Sequence, residues 1–171
     1  MITIELFDVV DENDEIIGSA TREEVHGNPS LIHRVVHVLV FNSSGELYLQ
    51  LRCPDKDVMP NRWDTSVGGH VDAGEEYDAA AVRETREELS IRIDQLEPLY
   101  RYLHRNEHES EMIRTYRLIW DGPVSFDPGE ITDGRFWTIG SIDASDPELF
   151  TPNFLDELRR FREWTAASTI G

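Results

Sequence analysis

A single cysteine, Cys53, is all the thiol chemistry the sequence contains. That count excludes an intrachain disulfide framework and agrees with a reducing compartment. At a strand end beside Arg52 the thiol reads as structural rather than reactive. Basic residues are also scarce: 16 Lys and Arg stand against 34 Asp and Glu, for a formal charge of −18. Binding to a phosphate backbone depends on Lys and Arg, so no nucleic acid polymer is expected as a partner. No apolar run reaches membrane-spanning length, and the first eight residues lack the basic start and apolar core of a signal peptide. No membrane partner is therefore expected, and the expected address is cytoplasmic. No Pro/Gly/Ser-rich linker divides the 171 residues, which read as a single domain over 1–171. A composition of 39% hydrophobic and 29% charged residues is that of a globular chain.

What the sequence does have is a glycine turn running into a strong helix. From Glu76 to Leu89 good helix formers dominate, with Ala79, Ala80 and Ala81 consecutive and no Gly or Pro. At 3.6 residues per turn Glu84, Glu87 and Glu88 share one narrow face, while Val82, Thr85 and Leu89 point away from it. Carboxylates so placed repel one another by about 0.2–0.5 kcal/mol per pair, and a cation relieves that repulsion. Clustered hard oxygen ligands suit Mg²⁺ or Mn²⁺. A solvated acidic face is the alternative for a bare Glu-x-x-Glu-Glu.

The remaining elements alternate. Ile2–Val10 and Glu15–Ala20 read as a hairpin, Thr21–Glu24 as a capping box on a short helix, Arg34–Asn42 and Leu47–Leu51 as two central strands. Asp55–Arg62 reads as a loop and Trp63–Val67 as a short strand entering Gly68-Gly69. Leu96–Leu103 and Met112–Trp120 are two further strands, Asp127–Gly129 a turn and Arg135–Trp137 a short strand. Pro152–Thr165 is an amphipathic helix with Phe154, Leu155, Leu158, Phe161 and Trp164 as its stripe. Strands and helices in this order predict an α/β fold, a mixed β-sheet with helices on its faces.

Gly69, Glu75 and the run Arg83-Glu84-Thr85-Arg86-Glu87-Glu88-Leu89-Ser90-Ile91 resemble the Nudix box over 69–91, G-x5-E-x7-R-E-U-x-E-E-x-G-U with U apolar. Thr85 departs at an apolar position, and Ser90 replaces the glycine that supplies a left-handed helix cap. The resemblance implies an α/β/α sandwich. It also implies a metal-dependent hydrolase that cleaves a diphosphate bond in a small molecule such as a nucleoside diphosphate derivative. Glu84, Glu87 and Glu88 match the metal-binding carboxylates, Arg83 and Glu75 the residues that support them, and Mg²⁺ or Mn²⁺ is the implied cofactor. Glu87 and Glu130 are candidates for the base; Glu130 reads equally as a late metal ligand or an ordinary loop residue.

Beyond the box, from about Asp8 to Trp137, the chain resembles isopentenyl diphosphate isomerases, a branch of the same superfamily. It does so through Gly18-x-Ala20-Thr21, His26, His33-Arg34, Trp63, Ser66-Val67, Gly69-His70 and Glu109-Ser110-Glu111. In that branch three His and two Glu bind a metal, matched here by His26, His33, His70, Glu109 and Glu111 as a second site. Such a mixed set suits Mn²⁺ or Zn²⁺ better than Ca²⁺. Gly68 stands where those enzymes carry a catalytic Cys, so an isomerase part is missing while the hydrolase carboxylates are complete. Arg52 and Lys56 match basic residues that hold the diphosphate, and Gly69 and Trp63 are further substrate-site candidates, Trp63 being equally a core residue. An isomerase-type enzyme and a non-catalytic metabolite-binding domain are the alternatives. Oligomeric state is open, a homodimer being one candidate.

Overall fold

The structure, a computed structural model, describes residues 3–56 and 58–169. Its centre is β3 (Ile32–Phe41), the ten-residue run IHRVVHVLVF, in which only Arg34 is not fully buried. A strand this apolar must be covered on both faces. Along one edge it pairs in parallel with β8 (Ser110–Ile119) over its whole length. Along the other edge it meets β1 (Leu6–Val10), then β6 (Val67–His70) across residues 35–38, and finally β4 (Leu47–Arg52) at Phe41.

The sheet has nine strands among the described residues. The hairpin of β1 and β2 (Ile16–Thr21) forms as read, although Ile2 lies outside the described residues. Next, α1 (Arg22–Val25) opens on the expected capping box, Thr21 and Glu24 bonding each other's backbone. Two readings change. The segment read as one strand, Trp63–Val67, is split into β5 (Trp63–Asp64) on β4 and β6 on β3. Thr65 and Ser66 are buried at the crossing, where the Ser66 hydroxyl donates to the Tyr48 carbonyl and accepts from Val40 N–H (3.0 Å). The strand expected at 135–137 is longer: β9 (Ile131–Trp137) pairs with β4 from Leu47 to Arg52 and so begins directly after Glu130. β7 (Glu97–Arg105) borders β8.

Two helices cover the faces. α2 (Tyr77–Leu89) buries Tyr77, Ala80, Ala81, Thr85 and Leu89 against Val36, Val38 and Val40 of β3. Thr85 fits there because its hydroxyl donates to the Ala81 carbonyl (2.7 Å), leaving only its methyl to the core. On the opposite face α4 (Pro152–Ser168) packs Phe154 and Leu158 against Leu39 and Phe41. A short helix, α3 (Ile139–Ala144), and a 3₁₀ turn at Pro147–Leu149 lead into it. Neither was read from the sequence. Among the described residues no helix is long and apolar enough to cross a membrane.

Candidate active site

The carboxylates of α2 meet the glycines of β6. The helix ends on Ser90 with φ 56° and ψ 29°, so Ser90 makes the left-handed cap that the glycine usually provides, its N–H bonding Arg86 O at 3.0 Å. The cap geometry therefore survives the substitution. Gly69 is required by contact: a Cβ there would stand 2.5 Å from Glu84 Oε2 and 2.6 Å from its Cγ. Backbone and carboxylate approach this closely only because residue 69 has no side chain.

Arg83 organises the cluster. Its guanidinium bonds Glu75 through Nε and Nη2 (both 2.9 Å), His70 O through Nη2 (3.0 Å), and Glu84 and Glu87 through Nη1 (2.8 and 3.2 Å). The planar fork thus ties the box loop, β6 and two metal-ligand candidates into one unit. Burial raises the Glu84 pKa, opposed by Arg83. Glu88 lies deeper. It accepts from Gln50 Nε2 (3.0 Å) and Gly68 N–H (3.2 Å), and burial, aided by the charge of Glu84, pushes its pKa up to about 8. A neighbouring cation reverses this shift, since opposite charge favours the ionised form. Glu87 stays half exposed on the same face.

The second group also converges. His33 faces Glu111 across β3 and β8, His70 faces Val35 across β6, and His26 closes α1 above them. His26 Nε2 lies 3.0 Å from His70 Nε2 and 3.5 Å from Glu109 Oε2, and His33 Nε2 lies 3.9 Å from Glu111 Oε1. Two ligand sets, His26–His33–His70 and His33–Glu109–Glu111, each have donor atoms within 4.8 Å of one another. Both ring nitrogens of His33 are buried with no partner among the described residues. Buried polar atoms rarely stay unpaired, and a cation between these side chains would take up Nε2, the ring nitrogen that faces Glu109 and Glu111. Burial and the neighbouring imidazoles lower the pKa of His33 to about 4 and of His70 to about 3, so both rings are neutral, the state that binds metal. Burial and Glu109 raise Glu111 to about 7.

The other candidates are spread more widely. Arg52 bonds Asp64 Oδ2 (3.3 Å) and Val58 O (3.2 Å) in the loop after β4. Lys56, the only lysine in the chain, sits 3.4 Å from Glu130 Oε2. Glu130 is well exposed, and its observed partner is this ammonium. Trp63 packs edge-on against Trp137 (5.2 Å) beneath Arg135, and belongs to the core under α4. Sequence reasoning missed Gln50, which anchors Glu88, and a buried pair of His37 and Glu157 (2.7 Å). The signal for the pair was there: an imidazole inside an apolar strand and a carboxylate three residues after Phe154, inside the helix stripe.

A model of the NUDIX domain matches residues 31–158. A Nudix hydrolase of Deinococcus radiodurans is 37% identical over 142 residues, covering 80% of this chain and 81% of that protein. The isopentenyl-diphosphate Delta-isomerase 1 of Photorhabdus laumondii is 30% identical, covering 87% of this chain and 90% of its own. The crystal structure of DR0079 from Deinococcus radiodurans superposes with a TM-score of 0.76 at 32% identity, over 91% of this chain and 98% of that one. With its carboxylate helix braced on a glycine strand and a family match over most of its length, this chain belongs to the NUDIX domain family.

Proposed function

We propose that this protein is a divalent-metal-dependent hydrolase, a single domain over 1–171 with its box at 69–91, that cleaves a phosphoanhydride bond in a small-molecule diphosphate. The observation that carries the reading is the Glu84–Glu87–Glu88 cluster, held by Arg83 against the Gly68–Gly69 backbone. A pure binding domain gains nothing from three mutually repelling carboxylates, whereas Mg²⁺ or Mn²⁺ is suited to them. When bound, the cation offsets charge on the phosphoryl oxygens and activates water for attack. Glu84 and Glu88 are the metal ligands. Glu87, exposed on the same face, completes the set and accepts the proton of the attacking water. Arg83 and Glu75 fix the carboxylates in place. Arg52 and Lys56 leave their present carboxylate partners to hold the diphosphate, and Glu130 releases Lys56 as the substrate enters.

His26, His33, His70, Glu109 and Glu111 hold a second divalent ion, a reading supported by the unpaired Nε2 of His33 among these ligands. An isomerase reading draws on the same five residues, but Gly68 offers no group to move a proton at carbon. A cytoplasmic setting fits the free thiol of Cys53. Replacing Glu87 by Gln tests the hydrolase: shape is kept and charge removed. Turnover of a cleaved diphosphate should fall by about 10²-fold or more while the melting curve is retained. An Glu87→Gln protein as active as wild type would refute the assignment.

A further inference from the structure

His37 lies on the face of β3 that carries His33, and Glu157 reaches it from α4. Glu157 is fully buried and accepts three bonds: from His37 Nδ1 (2.7 Å), from the Tyr102 hydroxyl (2.6 Å) and from the Tyr100 hydroxyl. A carboxylate surrounded by three donors accepts from all of them, so the proton lies on Nδ1 and the ring cannot turn. Burial opposes the charges, but the mutual bond prevails, raising His37 and lowering Glu157.

Among the described residues the ring's hydrogen bond is made at Nδ1, and the Nε2–Cδ2 edge looks onto Gly68, where a Cβ would stand 3.8 Å from Nε2 and 3.5 Å from Cδ2. Gly68 and Gly69 therefore have opposite neighbours: Gly69 faces the Glu84 carboxylate, Gly68 the imidazole, while the Gly68 N–H holds Glu88. A buried ion pair is a poor device for bracing α4, because apolar side chains of similar volume do as well or better. Its use is at the Nε2 end of the ring, which faces Gly68. With Nδ1 fixed by Glu157, a protonated Nε2 held over the exposed Gly68 suits an anionic oxygen.

We propose that His37 is a substrate-binding residue of this site, its Nε2–H donating to a phosphoryl oxygen of the diphosphate lying over Gly68, with Glu157 as its positioning residue. The inference rests on the hydrolase reading. A phosphoryl oxygen at Nε2 itself keeps the ring doubly protonated, so the donor persists through binding.

Two substitutions separate substrate binding from bracing. His37→Asn keeps an N–H where Nδ1 meets Glu157 and deletes the donor over Gly68; His37→Gln keeps the longer reach and gives up the bond to Glu157. Binding of imidodiphosphate with Mg²⁺, kcat/KM on a cleaved diphosphate, and Tm are measured for each. Loss of a charged hydrogen bond predicts that His37→Asn binds and turns over about 10- to 100-fold less well at nearly unchanged Tm, and that His37→Gln is less impaired in binding. Glu157→Gln should lower the titration midpoint of the His37 ring followed by NMR, which mere bracing would not produce. In the wild type, the His37 Cε1–H resonance should move when imidodiphosphate and Mg²⁺ are added, and this measurement decides the matter if His37→Asn fails to fold. Wild type that cleaves no diphosphate defeats the hydrolase reading. Wild type that cleaves, with His37→Asn matching it in binding and turnover, or with an unmoved His37 resonance, defeats this inference alone.

Discussion

Gly69→Ala isolates the contact on which the site is built. The added Cβ would sit 2.5 Å from Glu84 Oε2, and ordinary contact begins at 3.4 Å, so the carboxylate must retreat by about 1 Å. The obstructing atoms are the end of a flexible side chain, which places the folding cost at the low end of overpacking, about 1 kcal/mol. For a chain of this length that is a Tm decrease of about 2–4 °C. The functional cost is much larger. A misplacement of about 1 Å at a reacting centre is worth about 10²-fold in rate, and here it falls on a metal-ligand candidate whose bond to Arg83 (2.8 Å) must also be rebuilt. Thermal melts together with metal titration of the activity separate the two effects. A variant that melts within a few degrees of wild type but needs far more Mg²⁺ and turns over about 10²-fold more slowly bears the argument out. Wild-type turnover and metal demand would show that Glu84 is not a ligand; global unfolding would show that the glycine serves the fold instead.

Other outcomes follow from the same geometry. Ser90→Gly should raise Tm by about 2–4 °C, because φ 56° costs a non-glycine residue about 1 kcal/mol; an unchanged melt would mean that Ser90 is unstrained. Gly68→Cys should fold normally, since its nearest side-chain neighbour would be His37 Cδ2 at 3.5 Å. Isopentenyl diphosphate and NMR then tell whether a thiol alone restores isomerisation, the carboxylate set predicting that it does not. In chelator, the pH dependence of stability carries opposing contributions: Glu88 and Glu111, raised to about 8 and about 7, favour the fold as pH falls, while the buried neutral His33 and His70 oppose it. His33 is held at about 4 when folded against an ordinary 6.5, so its contribution is whole above 6.5 and is lost as pH drops toward 4. A difference of that size is worth about 3 kcal/mol. Denaturant melts of wild type and His33→Leu at pH 7 and pH 4.5 isolate it: the variant should gain on the wild type at the lower pH, and equal pH responses of the two would contradict the burial of a neutral His33.

The box helix was legible because periodicity alone puts Glu84, Glu87 and Glu88 on one face, and the alternation in β1, β2 and β4 marked strands in the same way. Local pattern reaches no further than its own element. Trp63–Val67 looked like one strand because nothing within those five residues says that Asp64 pairs with Gln50 while Val67 pairs with Val38. Gln50 was likewise invisible as the anchor of Glu88, since 38 residues separate them in the chain. The His37–Glu157 pair is farther apart still, at 120 residues. Each half broke its local pattern, but a broken pattern does not name its partner. Ser90 teaches the converse: a residue that departed from the family pattern adopts the left-handed backbone the pattern calls for, at an energetic cost the sequence did not exclude.

The most direct test of the central claim is a hydrolysis panel with purified protein, run with Mg²⁺, with Mn²⁺ and with chelator, against nucleoside diphosphate derivatives, dinucleotides and isopentenyl diphosphate. The account predicts that cleavage of at least one class releases phosphate-bearing products only when the divalent cation is present. Cleavage that persists in chelator, or no cleavage of any compound with either cation, would contradict it.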